Sequence, residues 1–259
     1  MFETLKKYLG VIVYIFIILL FVFGCMNMKT HTGVKTGIKN SELVDRELAV
    51  VSLYKKASDN FVFLLKESEM FCGETLCKNL ESTASGFVLH SDKTSIVVIS
   101  AAHFCMPTLN TNSFSEKIHG FAGDQPRELF VIEMDLENDL CVLMGTKFKN
   151  DKFHSIKIAE KHTIGEDVYA IAAPLGIGGP GIRMIFDGKL AGCDSNGCIT
   201  TIPATFGSSG AGIFNKKGEL ITIVMAVPQE FDHVVLSPSN QSLIKFIRDI
   251  DSKVDIYLY

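Results

Sequence analysis

The sequence predicts an all-β protein: two β-rich lobes closed by one C-terminal helix, with a transmembrane helix ahead of them. Three observations carry this. Short apolar runs recur along most of the chain, separated by Gly, Asn, Asp and Pro. A firm 3.6-residue apolar period occurs in one place only, near the C-terminus. One stretch near the N-terminus is long, apolar and without charge.

In chain order that stretch comes first. Residues 8–24 read YLGVIVYIFIILLFVFG and follow Lys6-Lys7. A membrane-spanning helix needs roughly 17–25 apolar residues, and a signal-peptide core is shorter. The run offers no polar face, so it does not suit a helix on the surface of a soluble domain. No small-x-small cleavage pattern follows, and we expect an uncleaved anchor over residues 1–28. The alternatives are lipidation at Cys25, against which Phe23 is bulky, and complete removal of a signal. Lys6 and Lys7 favour an inside N-terminus, whereas Lys29, Lys35 and Lys39 pull the other way. The expectation is a folded domain on the exported side, at residues 49–259, joined to the anchor by a polar tether over 29–48.

A short amphipathic segment over 42–57 leads into the domain. Residues 61–65 (FVFLL) are a buried strand candidate. Two more, 86–89 and 95–100, flank a turn at His90-Ser91-Asp92-Lys93. Strands are expected at 129–133 and 140–144 in the first lobe, then at 167–172, 184–186, 198–202, 212–214 and 219–224 in the second. The helix begins at Ser237-Pro238-Ser239-Asn240, a helix-start sequence, and runs over 241–251 with Leu243, Ile244, Ile247 and Ile250 on one face.

The chain has 259 residues and is 47% hydrophobic, enough for lobes with cores of their own. Its net charge of −4 comes with scattered basic residues, so no stripe for nucleic acid is present. Among seven cysteines, Cys72 and Cys77 form one short loop-like pair, and Cys193 and Cys198 another. Both read as disulfide-closed turns, which places the domain in an oxidising compartment. A zinc site built from both pairs is the rival, but the spacing is wider than usual and no nearby histidine supports it. Cys105 and Cys141 lie in apolar runs and read as buried free thiols.

The most informative stretch is Phe206-Gly207-Ser208-Ser209-Gly210-Ala211-Gly212, which leads into the apolar Ile213-Phe214. A nucleophilic serine needs such a glycine-flanked turn, because its hydroxyl must project and backbone N–H groups must face the oxygen that becomes negative. Glycine-serine turns are common, so the company matters. Ala101-Ala102-His103 lies upstream after a strong apolar strand, where an imidazole can act as general base. Asp139 abuts the apolar 140–143 run and can orient that imidazole, with Asp135 as its nearby competitor. Alone, each residue reads equally as a turn or cap residue.

Together these blocks resemble the trypsin/chymotrypsin-type serine proteases, and within them the HtrA/Deg-like branch. The resemblance runs over about residues 50–251: Ser85-Gly86-Phe87-Val88, then Val98 to His103, Asp135 to Leu143, Gly165 to Gly176, and Gly207 to Ala211 followed by Asn215 to Ile221, all in family order. It implies a chymotrypsin-like double β-barrel with the site in the cleft between lobes. Ser209 would be the nucleophile, His103 the general base and acid, and Asp139 the orienter. The backbone N–H groups of Gly207 and Ser209 would form the oxyanion hole. Ser208 is the rival nucleophile, but the family turn keeps one residue between the glycine and the reactive serine. Ser208 also replaces the usual acidic residue or its amide, so activation by a new N-terminus is not expected. Ala211-Gly212 stands where a second glycine and a proline are usual. No PDZ domain is expected after the protease unit.

By the same resemblance, Pro203, Ala204 and Thr205 with Met225, Ala226 and Val227 line the primary specificity pocket. None is charged, so cleavage after small or apolar residues is expected, since such a pocket cannot offset the desolvation of a cation. The resulting expectation is a membrane-tethered serine endopeptidase acting on protein or peptide substrates. It needs no metal or other cofactor, binds no nucleic acid, and can form a homo-oligomer. The alternative is a catalytically silent binding protein that kept the fold.

Overall fold

A computed structural model of the chain describes residues 50–51, 54–55, 57–72, 75–108, 114–122, 125–147, 151–177, 179–231 and 233–257. The expected anchor and tether lie outside these residues. Among the described residues, no helix is long and apolar enough to cross a membrane. The expected amphipathic segment falls only partly within them, with helical backbone at 50–51, 54–55 and 57–60.

The first lobe is a closed barrel of six strands in the order β1-β2-β3-β6-β5-β4. These are β1 (Phe61–Cys72), β2 (Thr75–Ser91), β3 (Ser95–Ala101), β4 (Phe114–Phe121), β5 (Pro126–Asp135) and β6 (Leu140–Thr146). Alternation along each strand sends one set of side chains inward and the other outward. Val62, Leu64, Val88, Val98, Leu129 and Leu143 fill the barrel. On the opposite face, Phe61, Phe63, Phe87, Ile99 and Val142 share a second cluster with Tyr169, Ile171 and Phe214 of the other lobe. That shared cluster locks the lobes together beneath the cleft.

The second lobe is a six-stranded sheet in the order β11-β10-β7-β8-β9-β12. It comprises β7 (Asp167–Ala172), β8 (Met184–Cys193), β9 (Cys198–Thr200), β10 (Gly212–Asn215), β11 (Leu220–Ile223) and β12 (Val235–Ser237). An antiparallel bridge from Ala226 to Leu236 brings the two edges together, so this sheet also curls into a barrel. Val168, Ala170, Leu190, Ile213 and Ile221 fill it. The final helix, α2 (Asn240–Tyr257), buries Leu243, Phe246, Ile247 and Ile250 in the inter-lobe cluster. Its start is capped as the sequence suggests: Ser239 Oγ accepts from Ser242 N at 3.0 Å.

Two findings differ from expectation. Strands β4 and β12 lie where none is predicted. In β4 the positions that should alternate as apolar carry Glu116, which hydrogen-bonds Ser68 inside one end of the barrel, and this breaks the period-2 signal. The second is a correction: Cys105 and Cys141 are not free thiols but a disulfide. Cys105 sits on the one-turn helix α1 (Ala102–Cys105) that caps the barrel, and Cys141 is on β6 directly below it. A half-cystine and a thiol are equally at home in an apolar run, so burial could not distinguish them. Cys193–Cys198 is a disulfide, as expected. The side chains of Cys72 and Cys77 lie outside the described residues.

Candidate active site

The first lobe supplies an imidazole and a carboxylate. Ala102, Phe104 and Cys105 of α1 are buried, which turns His103 outward into the cleft. Asp139 ends the turn before β6 with φ 53°, a left-handed conformation unusual outside glycine. Its contacts over-determine that backbone. Ala102 N donates to Asp139 O at 3.0 Å, and His103 N donates to Asp139 Oδ1 at 2.7 Å. The second carboxylate oxygen, Oδ2, is 2.7 Å from His103 Nδ1. An ionised carboxylate only accepts, so Nδ1 carries the proton and Nε2 is left as an acceptor. The competitor Asp135 is occupied elsewhere: it caps the preceding turn, accepting from Glu137 N, Asn138 N and Asn138 Nδ2.

The second lobe supplies the hydroxyl. Ser209 Oγ lies 3.0 Å from His103 Nε2. Ser208 points the other way; it is 1% exposed and its Oγ accepts from Thr205 N. The turn needs its glycines. Gly207 has φ +86°, and a Cβ there would meet Ala173 O at 2.6 Å. Gly210 has φ +82°, and a Cβ there would overlap Ser85 O and Ser100 Oγ. Within the turn, Ser208 N donates to Thr205 O, Gly210 N to Val224 O and Ala211 N to Ser208 O. The N–H groups of Gly207 and Ser209 have no acceptor among the described residues. Phe206 O is held by Leu175 N at 2.5 Å, and the trans peptide therefore turns Gly207 N–H away from Leu175.

One residue at this site goes unassigned when the chain is read by motif. Ser85, fully buried on β2, reaches across to the second lobe. Its N donates to Ser209 O at 2.9 Å and its Oγ donates to Gly207 O at 2.8 Å. The same Oγ accepts from Ala173 N at 3.0 Å, and Ser85 O accepts from Ser100 Oγ at 2.8 Å. Ser85 therefore positions the serine turn against the barrel that carries the histidine. Only its place in the Ser85-Gly86-Phe87-Val88 block hints at this.

Two cavities meet at the serine. One, of about 710 Å³, is lined by Ala204, Thr205, Met225, Ala226 and Val227, together with Val224, Pro228 and Gln229. Pro203 does not line it. The chain runs Ile202 buried, Pro203 exposed, Ala204 buried, so the proline faces away. Among the described residues, no charged side chain other than His103 and Asp139 at its mouth borders this cavity. The second, of about 540 Å³, opens on the first-lobe side and includes Lys66, Thr83, Met106 and Thr108. Burial pushes the Lys66 ammonium below its ordinary range, and the charge of Glu116 pulls it partly back. Burial pushes Glu116 up, but hydrogen bonds from Thr108 and Ser68, with the Lys66 charge, outweigh it and hold Glu116 low.

The trypsin-like peptidase domain family matches residues 84–223, a span that contains His103, Asp139 and Ser209. The chain belongs to this family. The peptidase has no match among curated protein sequences. Its fold is shared with solved structures at low identity. An inactive mutant form of Rv3671c from M. tuberculosis superposes with a TM-score of 0.57 at 14% identity, covering 79% of this chain and 93% of that one. A serine endoprotease from Yersinia pestis gives 0.57 at 19%, over 77% of this chain and 65% of that one. Deg5 gives 0.58 at 18%, over 77% and 92%.

Proposed function

We propose that the peptidase hydrolyses peptide bonds through Ser209, His103 and Asp139, by way of an acyl-enzyme. What carries the reading is the continuous hydrogen-bonded line from Ser209 Oγ through His103 to Asp139, at 3.0 and 2.7 Å. Ser209 Oγ attacks the scissile carbonyl and its proton passes to His103 Nε2. Asp139 stabilises the resulting imidazolium without taking the proton. The negative oxygen is met by the vacant N–H groups of Gly207 and Ser209. Collapse breaks the C–N bond, and Nε2 returns the proton to the departing amine. Water, deprotonated by the same nitrogen, then attacks the ester; the acyl–Oγ bond breaks, Nε2 returns the proton to Ser209 Oγ, and the acid is released.

The uncharged cavity formed by Ala204, Thr205, Met225, Ala226 and Val227 takes the residue on the acyl side, selecting small or apolar side chains. The protease unit is tethered to a membrane by residues 8–24 and works on the exported side. The apolar run and the two disulfides, which persist in oxidising compartments, support that location. Profiling the full chain against a peptide library tests the reading, with its Ser209→Ala variant as the blank. Cleavage after Ala, Val or Leu by the wild type alone is expected; a profile led by Lys or Arg contradicts the pocket assignment.

A further inference from the structure

The second cavity has a feature the mechanism does not use. Lys66 is only 6% exposed, yet it borders a cavity that also touches His103 and Ser209. Its ammonium donates to Met106 O at 2.9 Å and lies 5.6 Å from the centre of the Phe104 ring. An ammonium carries three N–H donors. Among the described residues no carboxylate forms an ion pair with it. Glu116 is the counter-charge that acts on it, and Glu116 Oε1 accepts from Ser68 Oγ and Thr108 N, at 3.0 and 2.7 Å. The other cavity-lining groups nearby, Ser82, Thr83 and Thr108, carry no charge. A desolvated cation held by one hydrogen bond is costly, and a bound anion would relieve that cost.

Position says where on a substrate this anion belongs. Among the described residues, the two cavities share His103, Phe206 and Ser209. If the acyl-side residue fills the apolar cavity, the chain beyond the scissile bond leaves past His103, which must reach the departing nitrogen. It then enters the cavity beside Lys66. We propose that Lys66 is a specificity residue for the leaving-group segment, recognising a carboxylate one or two residues past the scissile bond. This inference rests on the reading of the site given above. A carboxylate placed there would also act against the downward push of burial on the ammonium, as Glu116 does in part.

The test uses the full chain and fluorogenic peptides that share one acyl side. In one arm the two residues after the scissile bond carry Glu, Gln or Lys inside a longer peptide. In the other arm the peptide ends at that point as a free carboxylate or as an amide. A hydrogen-bonded charge pair predicts kcat/KM about tenfold higher for Glu than Gln, with Lys lowest. Lys66→Met should bring the Glu:Gln ratio to near one, and Lys66→Arg should keep it. A response in the second arm alone assigns the carboxylate to a chain end rather than to an acidic side chain. Equal rates for Glu, Gln and Lys with no difference between acid and amide overturn the proposal, and need only the wild type. Cleavage of no peptide at all overturns the peptidase reading along with it.

Discussion

The two lobes hold their shares of the site by different means. In the first, His103 and Asp139 stand at adjoining ends of β3 and β6, which pair in register from Ser95 opposite Thr146 to Ala101 opposite Leu140. Two residues beyond each, Cys105 on α1 and Cys141 on β6 are joined covalently. In the second, Ser209 lies in the irregular stretch between β9 and β10, with no strand ladder of its own. Glycine conformation and single hydrogen bonds hold it, two of them from Ser85 in the other lobe. On the proposed mechanism, the contrast follows from the chemistry. The imidazole and carboxylate must keep one contact through the whole reaction, so rigidity serves them. The serine must stand proud of a turn whose N–H groups are left free, which a regular ladder would consume.

If the halves act as one unit, the largest effects appear when either is removed. Ser209→Ala and His103→Ala should each lower kcat on the order of 10⁶-fold, and the double variant should lose little more. Losses that multiply in the double variant would separate the halves and break the comparison. Next comes the covalent tie. Loop-closure arithmetic for the 36-residue span gives Cys105–Cys141 about 4 kcal/mol, against about 2 kcal/mol for the 5-residue span of Cys193–Cys198. Denaturant unfolding of the two Cys→Ala double variants measures both. Only the first should also depress kcat; an equal activity loss from the second would deny the first lobe its special role.

A smaller effect sharpens the link between lobes. Ser85→Ala removes the hydroxyl bonds to Gly207 O and Ala173 N, each worth about 1 kcal/mol. Acting through the turn, it should lower kcat roughly tenfold, by the same constant, with KM little changed. Ser85→Thr, which keeps the hydroxyl, should restore part of the loss. A change in KM alone would make Ser85 a binding element instead.

The smallest effect concerns the first barrel away from the site. Asp92 closes the β2–β3 turn, accepting from Thr94 N at 2.6 Å and from Ser95 N and Oγ at 2.7 Å. Hydrogen bonds from the Thr94 backbone, then from Ser95, hold its carboxyl well below the usual range. Its folded pKa lies below the unfolded one. The stabilisation is therefore complete above about pH 4 and is lost as pH falls from there toward the depressed value. Asp92→Asn should cost about 1 kcal/mol at neutral pH. The gap in Tm between variant and wild type should narrow on acidification; a gap that widens reverses the sign.

Much of the candidate site's geometry is readable in the sequence, because the proposed chemistry restricts residue types most there. The glycines around Ser209 and the strand-end positions of His103 and Asp139 single out side chains that lie within hydrogen-bond distance of each other. The apolar runs that become β3, β6, β7 and β11 are equally plain. What escapes is polar residues doing structural work inside barrels. Glu116 and Lys66 point inward at one barrel end, and their charge disguises β4 and the far half of β1. Ser85 is only the first residue of the Ser85-Gly86-Phe87-Val88 block until its partners across the cleft are known. The Cys105–Cys141 bond needs the fold to bring residues 36 apart together. Pro203 is assigned to the pocket by the resemblance, although alternation turns it outward.

On the proposed mechanism, Ser209 is a nucleophile that His103 activates from the other lobe. Incubating the full chain with a fluorophosphonate probe at neutral pH and mapping the adduct by mass spectrometry tests this most directly. A single adduct on Ser209, formed far more slowly in His103→Ala and absent in Ser209→Ala, is the predicted result. An adduct on Ser208 or another residue, or labelling at an unchanged rate without His103, would contradict it.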